Sequence, residues 1–228
     1  QMSMTGVRDL SIIGTPPIDR LAIRTYVSEF DTITIRDLSI LHGARLTMRG
    51  GTLTLLGNWQ SEDTGTFEAT EGTVRFNGSF DQTIQTSRDS HFHDLQLGDG
   101  SGTQNVTIKS DLTIQGNLDL MNGASFQIEN HTIYLAGNWS DDNSAFDPHG
   151  GTLELNGTTQ VLRKHSQDAE RWDADLTFHN LTVNSTHSAT IEGEMIVTND
   201  LNINPGGLLN LANHQISVEG TVSSHGGL

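Results

Sequence analysis

The chain has 228 residues, a formal net charge of −16, 24 Gly and no Cys. That acidity argues against a nucleic-acid partner, whose phosphates it would repel, and the missing Cys rules out a disulfide-stapled fold. No apolar run reaches the roughly 18 residues of a membrane-spanning helix, and no stretch carries the helical period that a bundle needs.

The sequence starts at Gln1 rather than Met, which suggests a processed, exported form. Residues 1–30 carry Pro16-Pro17 and scattered apolar positions, among them Val7, Leu10, Ile12, Ile13, Ile18, Leu21 and Ile23. This segment is expected to cap the chain or to pair with another molecule. Charge is distributed unevenly. Residues 1–49 hold six Arg (8, 20, 24, 36, 45, 49) against five acids (Asp9, Asp19, Glu29, Asp31, Asp37), a net of +1. Subtracting from the totals of 12 basic and 28 acidic residues leaves 6 and 23, so residues 50–228 carry −17. Either the first segment has a separate origin or it is built to meet an acidic surface.

From Asp31 onward the chain repeats itself. Gly57-Asn58-Trp59 returns as Gly137-Asn138-Trp139. The phrase from Gly72 to Ser79 returns from Gly151 to Thr158, and Phe92-His93-Asp94-Leu95 returns as Phe178-His179-Asn180-Leu181. A period of about 80 residues marks a stacked array. One half-module aligns over 31–59, 111–139 and 200–222, with alternating apolar pairs: Ile33 and Ile35, Leu112 and Ile114, Leu201 and Ile203. A second pair precedes the closing Gly: Leu53 and Leu55, Ile133 and Leu135, Ile216 and Val218. Period-two alternation broken by turns every 8 to 12 residues predicts short strands. A second half-module spans about 65–97 and 144–183. The units are then an arm at 1–30 and repeats at 31–110, 111–199 and 200–228, the last stopping midway.

Strands this short satisfy their main-chain edges by stacking coil over coil at about 4.8 Å. With about 20 residues per coil, the chain forms a rod of about ten coils, on the order of 50 Å long. Asn58, Asn138, Asn77, Asn156, Asp94 and Asn180 are read as corner residues bonding turn backbone, with glycines supplying positive φ. Trp59 and Trp139 are read as core, with sugar platforms as the rival role. An array of β-sandwiches split near Ser110 is the rival architecture.

Gly-Asn-Trp, Gly-Thr-Val-Arg-Phe-Asn-Gly, Gln-Thr-Ile and Asp-Leu-Thr-Ile-Gln-Gly-Asn-Leu, as they stand at 57–59, 72–78, 82–84 and 111–118, resemble repeats of large secreted and cell-surface bacterial proteins, similar to adhesin stalks and autotransporter passengers. The resemblance covers about residues 31–222. It implies an all-β, right-handed parallel β-helix in an extracellular or cell-surface setting, with no shared catalytic residues.

The chemistry on offer is sparse. His91 and His93 lie two apart, as metal ligands on one strand face can, but His93 is matched by His179, which favours a structural slot. Asp141, Asp142, Asn143 and Asp147 form an oxygen-rich segment that would suit Ca²⁺, and Asp99 marks another; neither has EF-hand spacing. Seven Asn-x-Ser/Thr sequons (Asn77, Asn105, Asn130, Asn138, Asn156, Asn180, Asn184) mark surface turns.

The expected function is therefore non-catalytic: an extracellular β-solenoid subunit that stacks head to tail with itself into a surface fibre. Val218 and Val222 form the exposed end, and the apolar residues of the arm are its complement. The alternative is an adhesin-like module gripping surface glycans through residues 163–175, where Arg171 and Trp172 would act. A polysaccharide-active enzyme using Asp141 or Asp147 ranks third.

Overall fold

A computed structural model describes residues 10–13, 32–41, 43–61, 64–101, 103–165, 175–184 and 187–225. Every regular element among them is a strand, and every strand pairing is parallel. The chain winds as a β-solenoid with three faces. The first face is a sheet of nine strands from Thr32–Ile35 to Leu208–Asn210. The second has seven strands, Leu10–Ile13 to Ala145–Asp147, and resumes as three more, Leu176–Phe178 to Ile216–Val218. The third has six, Leu112–Ile114 to Val222–Ser224. It continues toward the N-terminus through bridges Phe92↔Ile114 and Glu68↔His91 and the opening halves of Thr66–Phe76 and Arg45–Leu55.

Register on the first face gives the length of each coil. Ile33 lies beside Leu53, then Val74, Leu95, Leu118, Trp139, Leu162 and Ile191. These steps are 20, 21, 21, 23, 21, 23 and 29 residues, the longest containing the insertion at 163–175. Nine stacked strands make about eight turns. The estimate of ten assumes about 20 residues per coil, whereas the observed steps run from 20 to 29.

Each strand places alternate side chains inward, so the Leu, Ile, Val and Phe of successive coils stack into one column. A single apolar cluster runs from Ile35 to Leu209 without interruption, which rules out two separately cored sandwiches. Trp59 and Trp139 are 0% and 1% exposed; they are core and not sugar platforms. Each sits in an aromatic triad. Trp59 meets Phe67 at 4.6 Å and Phe92 at 5.1 Å between ring centroids. Trp139 meets Phe146 at 4.7 Å and Phe178 at 5.2 Å.

The triads are equivalent in sequence yet occupy different faces. Trp59 stands between Leu38 and Ile84 on the second face, whereas Trp139 stands between Leu118 and Leu162 on the first. A separation of 80 residues at about 22 per coil is about three and two-thirds turns. The sequence repeat is thus not a whole number of coils, and each copy is rotated by one face.

The corner glycines also act differently from the expectation. Gly57, Gly78, Gly137 and Gly157 are absent from the positive-φ set, which includes Gly43, Gly72, Gly123 and Gly206. Close approach explains them instead. A Cβ on Gly137 would run into the carbonyl of Gly116 in the coil before it, and one on Gly157 into that of Ala136. Hydrogen at the side-chain position lets adjacent corners nest at the spacing the ladder sets.

Candidate functional site

Asn58, Asn138, Asp94 and Asn180 bond main chain, as expected from sequence, but they reach across coils; Asn77 and Asn156 instead bond the side chains of Asp99 and Asn184. Asn58 Oδ1 accepts the Thr83 N–H at 2.8 Å, and Asn138 Oδ1 accepts the Val161 N–H at 2.8 Å. Asp94 Oδ1 accepts the Asn117 N–H at 2.7 Å, and Asn117 Oδ1 in turn accepts the Asn138 N–H at 2.9 Å. Asn180 Oδ1 accepts from Asp200 N and from Asn199 Nδ2. These side chains tie each corner to the next.

The acidic segment proposed for Ca²⁺ is spent on internal partners. Asp141 is buried in the strand Trp139–Asp141; its Oδ1 accepts the Ser144 N–H at 2.6 Å and its Oδ2 lies 3.4 Å from Lys164 Nζ. Asp142 Oδ1 is 3.2 Å from His165 Nδ1. Asn143 holds a left-handed turn at φ 55°, and Asp147 Oδ1 accepts the His149 N–H. Among the described residues no group of three or more His, Asp or Glu is arranged to hold a metal ion. Asp99 likewise closes its own turn: its Oδ1 accepts the Ser101 N–H at 2.9 Å and its Oδ2 accepts Asn77 Nδ2 at 2.7 Å. The Ser101 bonds, with smaller help from Asn77 and Arg75, hold its carboxyl below the ordinary range.

The histidines do not converge. His91 bridges to Glu68 on the third face, whereas His93 Nδ1 lies 3.2 Å from Asp94 Oδ2. His179 Nδ1 is 3.1 Å from Thr198 Oγ1. Only the His93 contact is local to its corner; His91 and His179 pair with neighbouring coils.

A row on the first face escaped sequence reading. Arg75, Gln96, Asp119, Ser140, Arg163 and Glu192 stand side by side on successive coils. Arg75 Nε donates to Gln96 Oε1 at 3.2 Å, and Arg163 Nε to Ser140 Oγ at 3.2 Å. Burial pushes the Asp119 carboxyl above its ordinary range, and the neighbouring Asp94 charge adds to this; Arg163 and the Ser140 bond oppose it. Spacings of 21 to 29 residues place these six together, and only knowledge of the coil length reveals them.

The residues expected to mediate assembly are described only in part. Val7, Ile18, Leu21 and Ile23 lie outside the described residues, as does the stretch 166–174 with Arg171 and Trp172. Leu10, Ile12 and Ile13 belong to a strand whose main chain pairs with Leu38–Leu41 of the same chain. At the other end, Ile216 sits over Met195, Val218 over Val197 and Val222 over Leu201. Ile216 and Val218 pack only partly against the core, Leu208 is 44% exposed and Val222 is 50% exposed. The first coils differ: Ile35, Leu38 and Ile40 are buried. Residues 32–61 carry three Arg and one Asp, whereas residues 187–225 carry Glu192, Glu194, Asp200 and Glu219 with no Lys or Arg. The rod is therefore electrically polar along its axis.

No protein-family model matches the chain, and no solved structure matches it. The chain does share short stretches with transcription-repair-coupling factors. It is 53% identical to that of Rickettsia typhi over 51 residues, 22% of this chain and 4% of the relative. It is 60% identical to that of Rickettsia bellii over 42 residues (18% and 4%) and 46% identical to that of Escherichia coli K12 over 57 residues (25% and 5%). The chain thus covers about a twentieth of the length of these relatives. A likeness of at most a quarter of the chain cannot contain the solenoid, which occupies residues 32–225.

Proposed function

We propose that the chain is a non-catalytic structural rod of an extracellular or cell-surface fibre, and that its C-terminal coil receives the first coils of a second copy, head to tail. The observation that carries this reading is the axial polarity of the rod, Arg-bearing at residues 32–61 and acidic at residues 187–225. In the last described coils the inward columns run in register to Ile216, Val218 and Val222, with Val222 half exposed. Exposed apolar positions on a stacked sheet invite another rung. Charge polarity selects the occupant: the carboxylates at 187–225 suit the Arg-bearing first coils of a neighbour and repel a second C-terminal end. A heterologous contact of this kind repeats into an open filament.

Burying the half-exposed apolar side chains contributes roughly 1 kcal/mol each, set against the several kcal/mol that association costs. Contacts are then weak and depend on concentration. Light scattering coupled to size exclusion, with negative-stain microscopy, tests this on the whole chain. The expected result is unbranched rods that lengthen with concentration and that Val222→Asp abolishes without loss of β-sheet signal. Monomers at every concentration, or dimers that never extend, would overturn it.

A further inference from the structure

We infer that Asn122 is a spontaneous modification site, at which this chain converts asparagine to aspartate and isoaspartate, and that the fold shields the two sequence-equivalent candidates. The sequence contains three Asn-Gly pairs: Asn77-Gly78, Asn122-Gly123 and Asn156-Gly157. In each, the glycine amide nitrogen can lose its proton and attack the asparagine Cγ. A new N–C bond forms, the bond from Cγ to the side-chain nitrogen breaks, and ammonia leaves a cyclic imide. Water then opens either carbonyl of the ring. Nothing is oxidised or reduced, and water is the only co-reactant. The rate depends on a free nucleophile that can swing onto the carbon it attacks, and glycine, lacking Cβ, leaves that approach open.

Two of the three pairs are locked. The Gly78 N–H donates to Gln82 Oε1 at 2.8 Å, the Asn77 side chain donates to Asp99 at 2.7 Å, and Asn77 Oδ1 is buried. The second copy repeats the arrangement: the Gly157 N–H donates to Gln160 Oε1 at 2.8 Å, and Asn156 Oδ1 accepts from Asn184 Nδ2. In both, the attacking nitrogen and the target amide are held by different partners, so neither can reach the other. Asn122-Gly123 has no such restraint. It forms the exposed turn between Leu118–Leu120 and Ala124–Gln127, with Gly123 at φ 83°. Among the described residues, neither the Asn122 side chain nor the Gly123 N–H has a hydrogen-bond partner. Conversion there adds a carboxylate to an already acidic surface. The iso form also inserts a main-chain methylene at a corner where coil length fixes the register.

The test uses the whole chain in heavy-oxygen water at mildly alkaline pH, sampled over time, digested and read by mass spectrometry, once folded and once in urea. Folded, the Asn122 peptide should gain label at least roughly tenfold faster than the Asn77 and Asn156 peptides, the ratio expected when about two hydrogen bonds must first open. In urea the three rates should converge. Comparable folded rates at Asn77 or Asn156 would overturn the inference, and so would an Asn122 peptide that keeps the same lead in urea, because local sequence and not the fold would then set the order.

Discussion

Replacing Gln160 with Leu tests whether a buried amide, rather than the apolar column alone, holds the coils in register. The Gln160 Nε2 donates to the carbonyls of Leu135 at 3.1 Å and Gly137 at 2.6 Å, and its Oε1 accepts the Gly157 N–H at 2.8 Å. One side chain therefore bonds two carbonyls of the coil below and one amide of its own corner. Leucine fills the space and makes none of these bonds. The Leu135 carbonyl still accepts from Asn156 N at 2.8 Å, and the Gly137 carbonyl is near enough to solvent to recruit water. The Gly157 N–H, by contrast, is stranded. Losing the bonds at about 1 kcal/mol each, with one buried donor left unpaired, costs about 2–4 kcal/mol. Gln82 makes the same three contacts, to Gly78 N, Leu55 O and Gly57 O, so Gln82→Leu should lose a similar amount. Urea unfolding, followed by the fluorescence of the buried tryptophans, should show a lower midpoint with an unchanged slope. Gln160→Glu should be worse than Leu at neutral pH, since a carboxylate would face two carbonyls, and should recover as acid protonates it into a donor. If both leucine variants stay within about 0.5 kcal/mol of the parent, the amides are passengers and the register argument fails.

Trp139→Ala removes the centre of an aromatic triad and should cost about 3–5 kcal/mol, with Trp59→Ala close to it; circular dichroism melts will show whether the two losses match. Asp119→Asn should raise stability at neutral pH. Burial and Asp94 hold the folded carboxyl above its ordinary pKa, so its ionised form is the one the fold disfavours. That penalty is present above the folded pKa and fades as pH falls toward the unfolded value, so the gain from Asn should shrink across that window in urea midpoints taken at stepped pH. A gain that stays constant with pH would refute the assignment.

Much of the architecture was legible because its signal is local. Alternating pairs such as Leu53 and Leu55 or Ile133 and Leu135 need only the two-residue period of a strand, and they lie on strands with their side chains inward. Burial of Trp59 and Trp139 followed from their place beside such pairs. What stayed hidden depends on coil length. The row from Arg75 to Glu192 exists only because six residues spaced 21 to 29 apart fall on one line. Sequence reading assigns the corner glycines to positive φ, which Gly57, Gly78, Gly137 and Gly157 do not adopt; the position of the Gly116 carbonyl beneath Gly137 shows that close approach is what requires glycine there. In the candidate calcium segment, Asp141 points inward to Ser144 and Lys164. A run of acids in sequence does not show which of them faces solvent.

What the two copies share, and what they do not, bears on the kind of protein this is. The shared features are interior or corner devices: the aromatic triads, the Gln82 and Gln160 clamps, and the Asn58 and Asn138 bonds to the following coil. Outward positions of equivalent strands diverge, with Arg75 answered by Glu154 and Gln96 by Thr182. A repeat that turns by one face per copy also cannot line up its equivalent surface groups, because His93 and His179 follow strands on different faces. A protein that reads a periodic ligand needs identical groups in a row along one face. Here the repetition is spent on stacking, and the outward positions are left free to vary.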